Sequence, residues 1–217
     1  MKVLVIGANG QVGKHLVAKI QDTGDIKAKA MIRKEEQVPY FEDLGAETVL
    51  TDLEKADIDE IAKAVEGTDA IVFTAGSGPK TGADKTMLID LDAAVKTIEA
   101  AKKAGVKRYI MVSSFDTTRE AIQSAPSSFA PYVVAKHYAD VWLRATDLDY
   151  TIVHPGGLTN DAATGKVQAA ENVGRGEIPR EDVASVLLAT LQNDSTIGKE
   201  FQVVSGETAV DDAVKVL

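Results

Sequence analysis

Met1-Lys2-Val3-Leu4-Val5-Ile6-Gly7-Ala8-Asn9-Gly10-Gln11-Val12-Gly13 is the stretch that decides the fold. A short apolar run leads into three glycines in the pattern G-x-x-G-x-x-G, and Val12, Leu16, Val17 and Ile20 then recur at helical spacing. Strand, glycine turn and amphipathic helix in that order bring free backbone N–H groups and the positive end of a helix to one spot, which suits a pyrophosphate. Gly7 would permit the tight turn, Gly10 the close approach of phosphate, and Gly13 the packing of helix on strand. Asn9, Gln11 and Val12 complete the loop. The spacing departs from the commoner G-x-G-x-x-G, so its position between strand and helix carries the argument.

Outward from this unit the same alternation repeats. Apolar runs at 3–6, 28–32, 48–50, 70–74, 108–112 and 150–153 have the length of buried parallel strands. Segments of helical spacing lie between them. The clearest, 84–104, sets Leu88, Leu91, Val95 and Ile98 on one face and closes at Gly105. The alternation predicts an α/β fold, a Rossmann-like doubly wound parallel sheet, with residues 1–217 in one domain. After Pro155 the pattern weakens. The chain reads as loop through residue 176, then a helix near 181–192, an apolar run at 201–204 and a short terminal helix. These elements, within 155–217, are expected to form a small C-terminal cap.

Composition excludes several functions. Hydrophobic residues at 45% and charged residues at 26% suit a folded globular chain. The net charge of −9 argues against nucleic acid and anionic membrane surfaces as partners. Without cysteine there are no disulfides, thiolate nucleophiles or cysteine-ligated zinc. The opening apolar run is too short for a signal peptide, and no stretch approaches a membrane span, so a cytoplasmic location is expected. No two of His15, His137 and His154 have metal-ligand spacing, and no metal is expected. His15 is expected to lie at the surface or under neighbours, and His137 to turn away from the face of Lys136. His154 is expected to serve the end of its strand, and Trp142 to be core.

The second strand ends in Ala30-Met31-Ile32-Arg33-Lys34-Glu35, where many dinucleotide sites carry an acid for the ribose 2′-hydroxyl. Arg33 and Lys34 suit a 2′-phosphate instead, which favours NADP and leaves NAD as the alternative. Glu35 and Glu36 also fit a solvated helix start. Asp52 and Leu53, after the third strand, would lie beside the adenine, although Asp52 serves equally well as a turn or helix cap.

Further motifs follow the later strands: Ala75-Gly76-Ser77, Val112-Ser113-Ser114, Tyr132-Val133-Val134-Ala135-Lys136, His154-Pro155-Gly156-Gly157 and Arg180-Glu181-Asp182-Val183-Ala184. With the glycine loop, their order resembles the atypical short-chain dehydrogenase/reductase superfamily over nearly the whole chain. The closer likeness is to its small NAD(P)H-binding members, related to the NmrA-like and biliverdin/flavin reductase groups, and to bacterial proteins named as NAD(P)-dependent epimerases or oxidoreductases. The resemblance implies that Tyr132 and Lys136 are a catalytic pair assisted by Ser113 or Ser114. It also implies that Ala75, Gly76, Ser77 and Pro155 line the cofactor. Physically, residues four apart on a helix share a face, and an ammonium beside a phenol favours its ionised form. Lys136 is also four residues before Asp140, which permits an ordinary surface pair with Tyr132 packed under the cap. Two serines capping a strand end without chemistry is the alternative for Ser113 and Ser114. The chain departs from the better-known dehydrogenases in two ways. Ser114 precedes Tyr132 by 18 residues, a longer gap, and Phe73-Thr74-Ala75-Gly76 lacks the usual Asn.

The resemblance implies an oxidoreductase moving hydride between NADP(H) and a small carbonyl or conjugated acceptor. A non-catalytic NADP sensor is the alternative, and a sugar epimerase or dehydratase is less favoured because the tail is short. Loops 76–84, 116–130 and 156–176 are expected to shape the pocket for a small-molecule substrate, with 116–130 a candidate lid. Neither the substrate nor the oligomeric state is encoded in a recognisable motif.

Overall fold

In a computed structural model that describes residues 1–78 and 81–217, the six apolar runs become β1 (Lys2–Ile6), β2 (Lys27–Ile32), β3 (Glu47–Leu50), β4 (Ala70–Phe73), β5 (Arg108–Val112) and β6 (Asp149–Pro155). They lie parallel in the order β3-β2-β1-β4-β5-β6, the order of a Rossmann fold. Pro79 and Lys80, within the expected loop 76–84, lie outside the described residues.

Strand alternation sorts the core into two layers. Val3, Val5, Ala28, Ala30, Val72 and Ile110 face one side, with α1 (Gln11–Thr23) packed there. Leu4, Ile6, Ile71, Phe73, Tyr109 and Met111 face the other. Between the strands run α2 (Val38–Asp43), α3 (Ile58–Val65), the single turn α4 (Ala83–Lys85) and α5 (Ala94–Ala104), then α6 (Arg119–Ser124) and α7 (Ala130–Arg144). A capping box of Asp57 with Glu60 starts α3, and Gly105 closes α5 at φ 74°.

The helix expected over 84–104 is not continuous α. Thr86–Ala93 winds as π-helix before α5 begins. Widening the turn shifts the buried face, so Thr86, Asp90, Ala93 and Ala94 point inward while Leu88 is exposed and Leu91 and Val95 are only half-buried. Of the four apolar residues read as one inner stripe, Ile98 alone is fully buried. The segment 116–130, read as loop, contains α6. Trp142, read as core, is 48% exposed on α7, with its indole N–H donating to Glu99 at 2.9 Å.

The tail differs most. The stretch read as loop through residue 176 carries β7 (Gly157–Thr159) and β8 (Lys166–Ala170). β9 (Glu177–Pro179) pairs with β7 in a small separate sheet. β10 (Lys199–Ser205) extends the main sheet parallel to β6, β8 pairs antiparallel with β10, and β11 (Thr208–Ala209) joins β8. Strand β8, Lys166-Val167-Gln168-Ala169-Ala170, buries fully only Val167, so it shows too little apolar signal to be read as a strand. α8 (Arg180–Leu191) packs beside α1, followed by α9 (Val210–Lys215).

Candidate functional site

The strand order reverses between β1 and β4, and a cleft of about 420 Å³ opens there at the carboxyl ends of the strands. Gly7, Asn9 and Gly10 form one wall and Thr74 to Ser77 another, with Arg33 and Asp52 among the residues at the β2 and β3 side. The three glycines have separate roles. Gly7 has φ 80°, and a Cβ on it would meet Ala75 N at 2.6 Å. A Cβ on Gly13 would meet the Gly7 carbonyl oxygen at 2.3 Å and Ala8 Cα at 2.8 Å, so helix and strand touch there. A Cβ on Gly10 would meet only the Gly7 oxygen, at 3.1 Å, and Gly10 is exposed. The fold demands glycine at the first and third positions and leaves the second open to the cleft. Helix α1 has no acidic residue in its first turn and no side-chain cap, so its amides face the cleft without a competing carboxylate.

The other cofactor candidates separate in space. Arg33 is exposed and lines the cleft, while Lys34 pairs with Glu36 at 3.1 Å and does not line it. Asp52 and Leu53 line it too, and Asp52 Oδ1 accepts from Glu54 N at 3.2 Å, so this carboxylate also serves the turn. Gln11 is exposed and Val12 buried, and neither side chain lines the cleft. Ala75, Gly76 and Ser77 do. Pro155 is buried at the end of β6, paired with Val203 of β10, away from the cleft lining.

Behind the Gly76–Ser77 wall lies a group of buried charges. Pro131 opens α7, and Tyr132 and Lys136 follow on one face. Lys136 Nζ lies 5.8 Å from the Tyr132 ring centre, donates to Val112 O at 3.3 Å and pairs with Asp90 Oδ1 at 3.4 Å. Lys136 is therefore no surface partner of Asp140, being 4% exposed. Burial opposes its charge, but Tyr132, Asp90 and Asp140 outweigh burial and hold its pKa above the ordinary lysine value. Asp90 Oδ2 accepts from Ser77 N at 3.0 Å, and Oδ1 has no hydrogen-bond donor among the described residues.

The two serines are not equivalent. Ser113 is buried and its hydroxyl donates to Asp140 Oδ2 at 2.8 Å, beside Thr117 at 2.7 Å. Ser114 is half-buried; its carbonyl accepts from His154 Nδ1 at 2.7 Å, and no hydrogen bond engages its hydroxyl among the described residues. Burial pushes the Asp140 carboxyl up, against the pull of His154, the two hydroxyls and Lys136.

His154 meets acceptors at both ring nitrogens: the Ser114 carbonyl, and Glu200 Oε2 at 3.2 Å. Two acceptors favour an N–H on each ring nitrogen, and so the charged form of the ring. Burial alone would lower its pKa, but Glu200, Asp140 and the Ser114 carbonyl raise it. The hydrogen bond from His154 and a two-point contact from Arg144 hold Glu200 at about 2. His154 thus ties the end of β6 to the Ser114 carbonyl and to Glu200. His137 is buried, and its Nδ1 contacts Thr117 O at 2.6 Å, which ties the loop after β5 to α7. His15 is exposed. Asp90 and Glu200 escaped the sequence reading because nothing adjacent to them in sequence marks them, and Asp140 was read only as a surface partner of Lys136. No cluster of residues suited to hold a metal ion occurs among the described residues, and no helix there is long and apolar enough to cross a membrane.

The profile of a family described as NAD(P)H-binding matches residues 7–194. YhfK of Bacillus subtilis (strain 168), described as an uncharacterized sugar epimerase, is 50% identical over 217 residues, with all of both chains covered. A solved structure from Bacillus halodurans, a candidate NAD-dependent epimerase/dehydratase, matches with a TM-score of 0.93 at 44% identity over the full length of both chains. ChuY, an anaerobilin reductase of Escherichia coli O157:H7, has a TM-score of 0.80 at 25% identity, covering 94% of this chain and 97% of its own.

Proposed function

The chain belongs to the NAD(P)H-binding family, and we propose that it is an NADP-dependent reductase of a small carbonyl or conjugated acceptor. The observation that carries this reading is the buried Lys136 ammonium beside Tyr132, directly behind the cleft wall at Gly76 and Ser77. The free amides of α1 and the open surface at Gly10 support binding of a pyrophosphate there. Arg33, with Lys34 near it in sequence, would hold the 2′-phosphate; Asp52 and Leu53 would flank the adenine, and Ala75, Gly76 and Ser77 the nicotinamide half. When bound, the dinucleotide supplies a hydride to the acceptor carbon.

The chain's own residues then handle the proton. Tyr132 donates its hydroxyl proton to the acceptor oxygen as the carbonyl becomes an alcohol, and solvent reprotonates the phenolate. Lys136 stabilises that phenolate and would hold the nicotinamide ribose. Ser114, whose hydroxyl has no hydrogen-bond partner among the described residues, donates a hydrogen bond to the acceptor oxygen, while Ser113 holds the loop through Asp140. The likeness to an anaerobilin reductase supports reduction. The description of the Bacillus subtilis relative supports a second reading, a sugar epimerase using the same cleft.

The test is NADPH consumption with a panel of aldehydes, quinones and flavins, comparing wild type with Tyr132→Phe. Turnover that falls about 10²–10⁴-fold in the variant is expected for loss of a general acid. No turnover with any acceptor, or turnover insensitive to the substitution, leaves a cofactor-sensing protein in place of a reductase.

A further inference from the structure

A carboxylate that the sequence does not advertise stands between the cleft and the Tyr132–Lys136 pair. Asp90 is 1% exposed and sits in the middle of the π-helical segment Thr86–Ala93. π-turns are rare and less well bonded than α, and they recur where a side chain must be aimed. Here the widened turn carries an acid into a buried position that an α-helical phase would have given to apolar Leu88 and Leu91. The carboxylate is held at both ends. Oδ2 accepts from the Ser77 amide at 3.0 Å, and Oδ1 faces Lys136 Nζ at 3.4 Å without a hydrogen-bond donor among the described residues. Gly76 lies directly over it, since a Cβ on Gly76 would sit 3.0 Å from Oδ1. Gly76 and Ser77 line the cleft, so only backbone separates Asp90 from it.

Burying two opposite charges costs more in lost hydration than a pair of apolar side chains would, unless the charges are used. Lys136 is itself loosely held, with contacts of 3.3 and 3.4 Å, and it keeps an N–H to spare. We infer that Asp90 is a positioning residue, which keeps the Lys136 ammonium charged and aimed at the nicotinamide-ribose end of the cleft. The ammonium gains its third contact from a ribose hydroxyl, and the Ser77 amide couples that wall of the cleft to the same carboxylate. The inference rests on the reading of the cleft as an NADP(H) site. The charge states agree with it, since Asp90 is among the groups that hold Lys136 above the ordinary lysine value.

The experiment is calorimetry on the full chain with two probes, NADPH and adenosine 2′,5′-bisphosphate, which carries the adenine and 2′-phosphate but no nicotinamide ribose. Asp90→Asn keeps the shape and an oxygen for the Ser77 amide while removing the charge. NADPH is expected to bind the variant about tenfold more weakly, within the range for residues coupled by direct contact, with the bisphosphate within about twofold of wild type. The NADPH deficit is expected to grow from pH 7 to pH 9, because Lys136 without its carboxylate loses its proton more readily. Asp90→Asn is expected to add nothing in a Lys136→Ala background. Equal losses on both probes, an unchanged NADPH affinity, or additive losses in the double variant each overturn the inference. Wild type that binds neither probe overturns the cofactor reading itself, which a deficit confined to the variant does not touch.

Discussion

Substituting Gly10 and Gly13 in turn separates what the glycine loop does for the fold from what it does for a ligand. In Gly13→Ala the new Cβ is forced within 2.3 Å of the Gly7 carbonyl oxygen and 2.8 Å of Ala8 Cα. Both are backbone atoms and cannot swing aside, so helix α1 must move off strand β1. Overpacking of this kind costs about 3 kcal/mol at the upper end of the usual range. For a chain of this size that lowers the melting temperature by about 6–12 °C. In Gly10→Ala the Cβ meets one atom at 3.1 Å, at φ −70°, which alanine adopts freely. The poorer helix cap and the lower entropy of the unfolded chain oppose each other, so the net change is within about 1 kcal/mol, or less than about 4 °C. Its methyl nevertheless occupies the space a phosphate would need. Loss of even one charge-assisted hydrogen bond, about 1.5–3 kcal/mol, weakens NADPH about 10–150-fold. Differential scanning fluorimetry and calorimetry on the two variants read both effects. Gly10→Ala that binds NADPH like wild type, or Gly13→Ala that melts like wild type, refutes this division of labour.

Two further outcomes follow from the same geometry. Arg33→Ala is expected to weaken NADPH by about 10–100-fold and NADH by less than about threefold, since one guanidinium–phosphate contact is removed and nothing else; equal losses in parallel titrations contradict the 2′-phosphate assignment. The His154 pKa is raised above 6.5, so its stabilisation is whole below that value and is lost as pH rises through the folded pKa. Glu200 is lowered from 4.5 to about 2, so its share is whole above 4.5 and is lost as pH falls toward 2. Melting temperature measured from pH 5 to 9 should therefore decline more steeply above pH 6.5 in wild type than in His154→Gln, and parallel curves would show that the ring carries no extra proton.

The elements read correctly from sequence are those whose cause is local. Five of the six parallel strands are buried on two faces or nearly so, and a continuous apolar run is the direct trace of that burial; β3, at the sheet edge, has no fully buried residue. The glycine loop was legible because Gly13 answers a steric demand raised by Gly7 and Ala8, a few residues before it, and Gly7 makes the tight turn at φ 80°, although the atoms that crowd Gly7 belong to Thr74 and Ala75. Strands β8 and β11 fail for the opposite reason: they carry mostly polar or small side chains, and each owes its pairing to a strand far away in sequence, β8 to β10 and β11 to β8. The helix before α5 was misread because its phase is set by the π-turns, and a period of 3.6 residues cannot register a local lengthening of the turn.

The site divides along the same line. Tyr132 and Lys136 share one helix, so their spacing alone predicts a common face. The distinction between Ser113 and Ser114 required knowing where α7 docks, because Asp140 on that helix engages one hydroxyl and leaves the other without a partner. Asp90 meets Lys136 of another helix, Glu200 meets His154 and Arg144 of two other elements, and Asp140 engages the hydroxyls of Ser113 and Thr117 from the end of β5 and the loop after it. In a chain with 33 acidic residues, the few that are desolvated or paired in this way look no different from those that are solvated. What distinguishes them is desolvation, a property of the assembled fold, and that is why charge chemistry at this site emerges only after the helices are packed.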